Sequence, residues 1–213
     1  MLTQTRRPEI DSVRHRVTAA ERAARNGHLG AVVWLTGLSA SGKSTVAMLT
    51  DELLFEDGYQ SYVLDGDNLR HGINVDLGFD AADRHENTRR VGEVAALFAD
   101  AGFVVFAALI SPFRTDRMQA RAVACRFYEV FVKASLDTCE RRDPRGLYKL
   151  ARAGGLSAFT GVSAPYEVPL RPELVLDTER LTAADAALEL GGFIKQRTIT
   201  TSTSMKRLVN SPR

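Results

Sequence analysis

Apolar residues along the chain gather into short blocks that alternate between two spacings. Thr18–Asn26 carries Ala and Arg at helical intervals and reads as a short, mostly polar helix, with Gly27 and Gly30 bracketing its end. The run from Ala31 to Thr36 is continuously apolar and of strand length. From Ser44 to Glu56, the residues Val46, Ala47, Leu49, Leu53 and Leu54 recur on one helical face. Tyr62–Asp65 is a second short strand ending in acids. Arg84–Asp100 turns Val91, Val94, Ala95 and Phe98 inward as an amphipathic helix. Phe103–Ile110 is an unbroken apolar run, the signature of a strand covered on both faces, and Pro112 ends it. A helix over 114–126, strands over 128–132 and 173–176, and a last helix over 183–193 complete the pattern. Strands alternating with helices predict an α/β domain with a parallel sheet and helices on both faces. Ligands then bind at the carboxyl ends of the strands.

Two stretches fall outside this pattern. Residues 143–172 hold four glycines and four prolines and no long helical period. They read as a mobile lid with a short helix near Tyr148–Ala153. From Gln196 the chain is Ser/Thr-rich, basic and poor in apolar groups, the composition of a disordered tail. The expected organisation is a basic helical extension over 1–28, a nucleotide-binding domain over 29–195 and a tail over 196–213.

Composition narrows the class. The chain has 213 residues, 45% apolar and 25% charged, enough to bury a core. Two cysteines, Cys125 and Cys139, are too few for a disulfide scaffold and match no zinc spacing. His15, His28, His71 and His85 are too scattered to form a metal site. No run approaches the ~20 apolar residues of a membrane span. The Arg-studded start lacks a signal-peptide core, and a cytoplasmic protein is expected. The overall charge of +2 conceals an uneven distribution. Setting aside six arginines and three acids in 1–28, and four basic residues in 196–213, leaves 18 basic against 23 acidic residues. An acidic body is not that of a nucleic-acid binder, so any anion site must be local.

The chemistry starts between the first strand and the helix after it. Gly37-Leu-Ser-Ala-Ser-Gly-Lys-Ser44 matches the G-x-x-x-x-G-K-[ST] phosphate loop. Backbone N–H groups of such a loop and of the following helix terminus cradle phosphate oxygens. Gly37 and Gly42 allow close approach, Lys43 charges the β/γ-phosphates and Ser44 ligates Mg²⁺. The motif specifies a nucleoside triphosphate but not the reaction. No Asn-Lys-x-Asp guanine motif is present, so a GTP switch is disfavoured and phosphotransfer to a small molecule is expected.

Four polar clusters supply a second site. Asp65-Gly-Asp67 ends the second strand, where one acid can hold or activate a hydroxyl and the other can orient substrate or a metal-bound water. Phe79, Arg84, Asn87 and Arg89–Arg90 offer stacking and anion-binding forks. Ser111 follows the longest apolar strand, where many phosphate-loop proteins place a Mg²⁺-supporting Asp, so Asp65 can take over that duty. Arg145, Tyr148, Lys149, Arg152 and Phe159 lie on the lid, which can close over phosphates and exclude water.

Taken in order, these clusters resemble the adenylyl-sulfate kinase (APS kinase) family over roughly residues 18–180. The resemblance rests on Gly37–Thr45, Leu64-Asp-Gly-Asp-Asn-Leu-Arg-His-Gly72, Leu77-Gly-Phe79, Arg84-His-Glu-Asn87 and Arg89–Glu93. It continues through Leu97–Gly102, Ile110-Ser-Pro-Phe-Arg114, Arg142-Asp-Pro-Arg-Gly-Leu-Tyr-Lys149, Ala151–Gly154 and Phe159-Thr-Gly161. It implies a P-loop kinase fold with a five-stranded parallel sheet in the order 2-3-1-4-5. It implies transfer of the γ-phosphoryl group of ATP, with Mg²⁺, to the 3′-hydroxyl of adenylyl sulfate. The ATP site would comprise Gly37, Leu38, Ser39, Ala40, Ser41, Gly42, Lys43, Ser44 and Thr45. The acceptor site would comprise Asp67, Asn68, Arg70, Phe79, Arg84, Asn87, Ile110 and Ser111, with Arg145, Lys149 and Phe159 from the lid.

In that reading Phe79 and Phe159 sandwich the adenine, and Lys43, Asp65 and Ser111 are the catalytic candidates. Asp65 serves the acceptor hydroxyl. Ser111 matches a serine often described in the family as a phosphorylated intermediate. It has no nearby base to make it a nucleophile, so it is expected to position substrate. The family is commonly dimeric, and the resemblance implies a homodimer, a functional link to ATP sulfurylase and no nucleic-acid or membrane partner.

Departures from the family pattern cluster in the lid. Arg145 stands where Lys is usual, Leu150 where a second Lys is usual, and Gly155-Leu-Ser157 replaces a Glu-Ile-Lys type segment. Ala40 replaces a frequent Gly in the phosphate loop. These bear on turnover and lid closure more than on substrate identity. Two other readings stay open from the residues alone: a kinase of another small hydroxyl acceptor, and a catalytically weak or regulatory nucleotide-binding protein.

Overall fold

A computed structural model describes Val13 and residues 15–200. The start of the basic extension and most of the expected tail, residues 201–213, lie outside the described residues.

The chain opens on α1 (Ala19–Asn26), started by a reciprocal capping box between Thr18 and Glu21 and stopped by Gly27 at φ 78°. Then follow β1 (Ala31–Thr36), α2 (Lys43–Glu56), β2 (Ser61–Asp65), the single turn α3 (Gly66–Leu69) and α4 (Ala81–Asp100). Next come β3 (Val104–Ala108), α5 (Arg114–Val123), β4 (Phe127–Lys133), α6 (Leu136–Arg142), α7 (Leu147–Arg152), β5 (Leu174–Asp177) and α8 (Ala183–Thr198).

The five strands form one parallel sheet in the order β2-β3-β1-β4-β5, as expected. Ala31–Leu35 pairs with Val104–Ala108 on one side, and Val32–Thr36 pairs with Phe127–Phe131 on the other. This register brings the carboxyl ends of all five strands to one edge, at Thr36, Asp65, Ala108, Lys133 and Asp177.

The continuous apolar runs divide by period two between two cores. Val33, Leu35, Val104, Phe106 and Ala108 face α2 and α8, packing on Val46, Leu54, Leu190 and Ile194. Val32, Trp34, Val105 and Ala107 face α4 and α5, packing on Val91, Ala95 and Ala120. Gly92 lets α4 and α5 approach, since a Cβ there would come 3.1 Å from Ala120.

Several element boundaries differ from the sequence reading. The helix expected over 84–100 begins at Ala81, because the Asp80 side chain accepts the Asp83 N–H and caps it three residues early. The helix expected to reach Arg126 stops at Val123. Arg126 instead leads into β4, and its carbonyl accepts the Val32 N–H. The last helix continues past Phe193 to Thr198. Ile194 and Thr198 lie on the face of Leu190 and are fully buried, and burying a Leu or Ile side chain is worth about 1.5–3 kcal/mol. The expected tail boundary at 196 therefore falls inside α8. Ile199 then bridges to His28, and the Thr198 carbonyl accepts the Leu29 N–H.

The lid segment contains α7 close to the expected helix, and α6 precedes it. Cys139, Tyr148, Ala151 and Phe159 form a third small core together with Leu38 and Ala40 of the phosphate loop.

Candidate active site

The glycine loop lies at the sheet edge where β1 hands over to α2. A Cβ on Gly37 would collide with the Val132 carbonyl and sit 2.8 Å from Ser41 Oγ, so the loop packs against β4 only with glycine there. Gly42 has φ 101°, accessible at little cost only to glycine. Ala40 adopts φ 59° despite its Cβ.

The loop carbonyls are engaged by surrounding donors. Leu38 O accepts Lys43 Nζ at 2.7 Å, Ser39 O accepts the Tyr148 hydroxyl at 3.0 Å, and Ser41 O accepts Thr178 Oγ1 at 2.9 Å. Arg142 lies 3.5 Å from Ala40 O and also donates to Thr178 O at 2.6 Å. With these carbonyls engaged and the Ser41 N–H turned back onto Leu38 O, the loop is left to offer its other amides to an anion.

Lys43 is buried. Desolvation lowers its pKa from 10.5 to about 8, and the nearby carboxylates of Asp65 and Asp67 offset only part of the shift. An ammonium held this way lacks hydration that a polyphosphate can replace. Ser44 Oγ donates to Asp65 Oδ2 at 2.6 Å, and Asp65 Oδ1 accepts the Asp67 N–H at 3.0 Å. Asp65 thus joins β2 to the loop helix and caps α3. Its buried carboxylate beside a hydroxyl is a hard-oxygen donor set suited to Mg²⁺, which takes few protein ligands and keeps waters. Among the described residues, no cluster of three or more His, Cys, Asp or Glu forms a separate metal site.

Asp67 is exposed and meets Arg145 of the lid, Oδ2 to Nη1 at 2.5 Å. The two acids separated by Gly66 therefore divide, one facing the phosphate loop and one the lid. Arg70 donates to the Leu77 and Gly78 carbonyls and lies 4.2 Å above the Phe79 ring. Arg84 Nε donates to Phe79 O, Arg84 Nη2 donates to Ala158 O, and its guanidinium is 5.9 Å from the same ring. Burial lowers the pKa of Arg84, and the charge of Arg70 lowers it further. Two guanidinium groups that repel each other around an exposed aromatic ring form a site an anionic group would neutralise. Asn87 Oδ1 accepts Asn74 Nδ2 at 3.0 Å; both residues are buried, and Asn74 Oδ1 has no partner among the described residues.

Ser111 sits just beyond β3 at φ 38° and is buried. Its hydroxyl accepts the Trp34 indole N–H at 3.0 Å, and its carbonyl accepts Arg117 Nη1 at 2.7 Å. The Ile110 carbonyl accepts Thr36 Oγ1 at 2.7 Å. These bonds pin the turn after β3 to β1 and α5. Phe159 is turned into the third core, edge-on to Tyr148 with centroids 5.0 Å apart, while Phe79 stays exposed. The two rings form no stacked or edge pair with one another among the described residues. Asn68 and Lys149 are exposed, and their side chains have no hydrogen-bond partner among the described residues.

Sequence reasoning misses the outer supports of the loop. It assigns no role to Arg142 or Thr178 and passes over Asn74. Thr178 is findable, because it follows the last strand at the ligand-bearing edge. Arg142 lies on a short helix without a detectable apolar period. Trp34 is in the core, as its place in an apolar strand implies, but its bond to Ser111 has no sequence signal.

The comparisons with known proteins agree with this geometry. The family model described as adenylylsulphate kinase matches residues 29–177. An adenylyl-sulfate kinase of Geotalea uraniireducens is 55% identical over 183 residues, covering 85% of this chain and 88% of the relative. That of Marinobacter nauticus is 52% identical, covering 86% and 93%. The structure of the Mycobacterium tuberculosis APS kinase CysC in complex with AMPPNP and APS superposes with a TM-score of 0.76 at 50% identity, over 78% of this chain and 98% of that one. A hexameric APS kinase from Thiobacillus denitrificans matches at 30% identity with a TM-score of 0.61, over 84% of this chain and 31% of that one. No helix among the described residues is long and apolar enough to cross a membrane. With the phosphate loop, the paired arginines around Phe79 and the lid on one sheet edge, and relatives above 50% identity along most of its length, this chain belongs to the adenylylsulphate kinase family.

Proposed function

We propose that this site transfers the γ-phosphoryl group of MgATP to the 3′-hydroxyl of adenylyl sulfate, giving 3′-phosphoadenylyl sulfate and ADP. The observation that carries the residue assignment is the Ser44–Asp65 bond of 2.6 Å beside buried Lys43. It places a hydroxyl, a carboxylate and an ammonium where a phosphate loop meets the end of β2.

Ser44 and Asp65 would hold Mg²⁺, which when bound neutralises charge on the transferring group. Lys43 and the inward amides of Gly37–Thr45 bind the β- and γ-phosphates and stabilise charge as it spreads over the phosphoryl oxygens. Asp65 orients the acceptor hydroxyl from its buried position at the end of β2. The loose transition state of phosphoryl transfer asks mainly for positioning, so a strong base is not required. Arg70 and Arg84 take the anionic phosphosulfate end, and Phe79 stacks on the adenine with Phe159 approaching from the lid. Asp67, Asn68, Asn87 and Ile110 line the same acceptor side, and Arg145 and Lys149 bring positive charge from the lid. Ser111 acts by fixing the turn after β3, because its hydroxyl is already bound to Trp34.

The same reading includes a homodimer and a cytoplasmic location, the latter in keeping with the free thiols of Cys125 and Cys139. It also includes a functional link to ATP sulfurylase, since adenylyl sulfate must be made by adenylyl transfer to sulfate.

Coupled ADP release with MgATP, with and without adenylyl sulfate, tests the proposal. Acceptor-dependent ADP release matched by 3′-phosphorylated product is expected. Nucleotide binding without any acceptor-dependent product would refute it.

A further inference from the structure

The lid helix α7 reaches the phosphate loop at one polar atom. Tyr148 is 2% exposed, and its hydroxyl donates to Ser39 O at 3.0 Å. Burial raises its pKa, so the phenol stays protonated and remains a donor. Its ring packs edge-on against Phe159, within the core that also takes in Leu38 and Ala40.

Ser39 precedes the strained residue of the loop. Ala40 holds φ 59°, a left-handed conformation that a Cβ disfavours. Such a residue keeps that conformation only when its neighbours over-determine it. Here they do so on both sides, through Tyr148 on Ser39 O and Thr178 on Ser41 O. The methyl of Ala40 meanwhile packs into the core to which Tyr148 belongs. A glycine at position 40 would need neither support.

We propose that Tyr148 is a positioning residue for the donor nucleotide: its hydroxyl holds the Ser39–Ala40 peptide so that the loop amides stay aimed at the phosphates. It touches no substrate and acts through the loop. The proposal rests on the reading of Gly37–Ser44 as the phosphate site, and not on the identity of the acceptor. Ala40 and Tyr148 are then a compensating pair, in which the alanine makes the loop dependent on the tyrosine.

The test is a double-mutant cycle on the full chain with Tyr148→Phe and Ala40→Gly. Affinity for MgATP and MgADP is read by calorimetry, and KM for each substrate by steady-state kinetics. Tyr148→Phe keeps the ring contact with Phe159 and removes only the hydroxyl, and a thermal melt verifies that the fold persists. One lost hydrogen bond of ordinary net strength corresponds to roughly a fivefold change in affinity. About that rise is expected in the MgATP dissociation constant and KM, exceeding any rise in KM for adenylyl sulfate. Ala40→Gly placed on Tyr148→Phe should recover most of the loss, because glycine adopts the left-handed conformation unaided.

A Tyr148→Phe protein that is folded and within twofold of the parent in nucleotide affinity would overturn the proposal. So would equal rises in both KM values, or a double variant no better than Tyr148→Phe alone. Calorimetry with nucleotide alone separates this from the acceptor assignment. A Tyr148-dependent MgADP affinity stands even if adenylyl sulfate proves to be the wrong acceptor.

Discussion

Lys43 carries a stability cost that can be measured. Its ammonium is buried at the start of α2, and desolvation lowers its pKa from 10.5 to about 8. That difference corresponds to about 3 kcal/mol by which the folded state disfavours the charged form. The perturbation is Lys43→Met, which keeps the apolar stem and removes the charge. It also removes the bond from Nζ to Leu38 O at 2.7 Å, worth about 1 kcal/mol. The variant should therefore be about 2 kcal/mol more stable than the parent at pH 7, with Tm higher by roughly 4–8 °C for a chain of this size. Turnover should fall on the order of 10²–10³-fold, because a group aimed at developing charge is gone.

The pH dependence has a fixed sign. Between about pH 8 and 10.5 the unfolded chain holds a proton on Lys43 that the folded chain has released, so raising the pH through this window favours the folded parent. Below about pH 8 both states are protonated and the full cost is present. Urea unfolding of parent and variant at pH 7 and pH 10 reads the difference. The parent should gain most of the 3 kcal/mol at the higher pH, which removes the variant's advantage of about 2 kcal/mol. A Lys43→Met protein less stable than the parent at pH 7, or a difference indifferent to pH, would refute the reasoning. Bound triphosphate should restore the charged form. Calorimetry at pH 8.5 in buffers of different ionisation enthalpy should then detect proton uptake on MgATP binding.

The remaining expectations concern the acceptor side. Asp65→Asn keeps a good cap for α3, so Tm should stay within roughly 2 °C. Loss of the charged partner of Ser44 should lower kcat/KM by roughly 10–100-fold and raise the Mg²⁺ needed for half-maximal rate. Ser111→Ala leaves the Trp34 N–H buried without an acceptor and should cost about 1–3 kcal/mol in urea unfolding. Activity should fall less than about tenfold, and labelled ATP should leave no phosphate on the protein. Complete loss of turnover in a folded Ser111→Ala protein would contradict this. Phe79 is 58% exposed, so Phe79→Ala should change stability by less than about 1 kcal/mol. The KM for adenylyl sulfate should rise roughly 5–100-fold, the span of base–aromatic stacking, while that for MgATP stays within about twofold.

Much of the architecture is readable because it is periodic or sterically unique. The apolar run of Phe103–Ile110 can lie only in a doubly covered strand, and it occupies the interior of the sheet between β1 and β2. Gly37 and Gly42 mark a backbone that no side chain would permit, so the loop is recognisable from residue order alone. Periodicity misplaces an element's end where a tertiary contact decides the boundary. Thr198 is drawn into the helix by burial, and the Arg126 carbonyl is taken by the Val32 N–H of β1.

The candidate site divides along the same line. Residue types and order along the chain are what propose Lys43, Ser44, Asp65, Arg70, Phe79 and Arg84 as the chemical set, since phosphate, metal and base recognition each demand particular groups. Partner choice is not encoded in order. Asp65 and Asp67 are alike in sequence, yet one is buried against Ser44 and the other is exposed against Arg145. Likewise Ser111 is bound to a tryptophan 77 positions away, and Tyr148 meets Ser39 across 109. Composition and periodicity determine which segments become strands, helices and the phosphate loop, because local sterics and burial act over a few residues. Which polar atom satisfies which was settled only by packing, when the sheet register brought distant segments to one edge and put groups such as Ser44 and Asp65, or Trp34 and Ser111, within reach of one another.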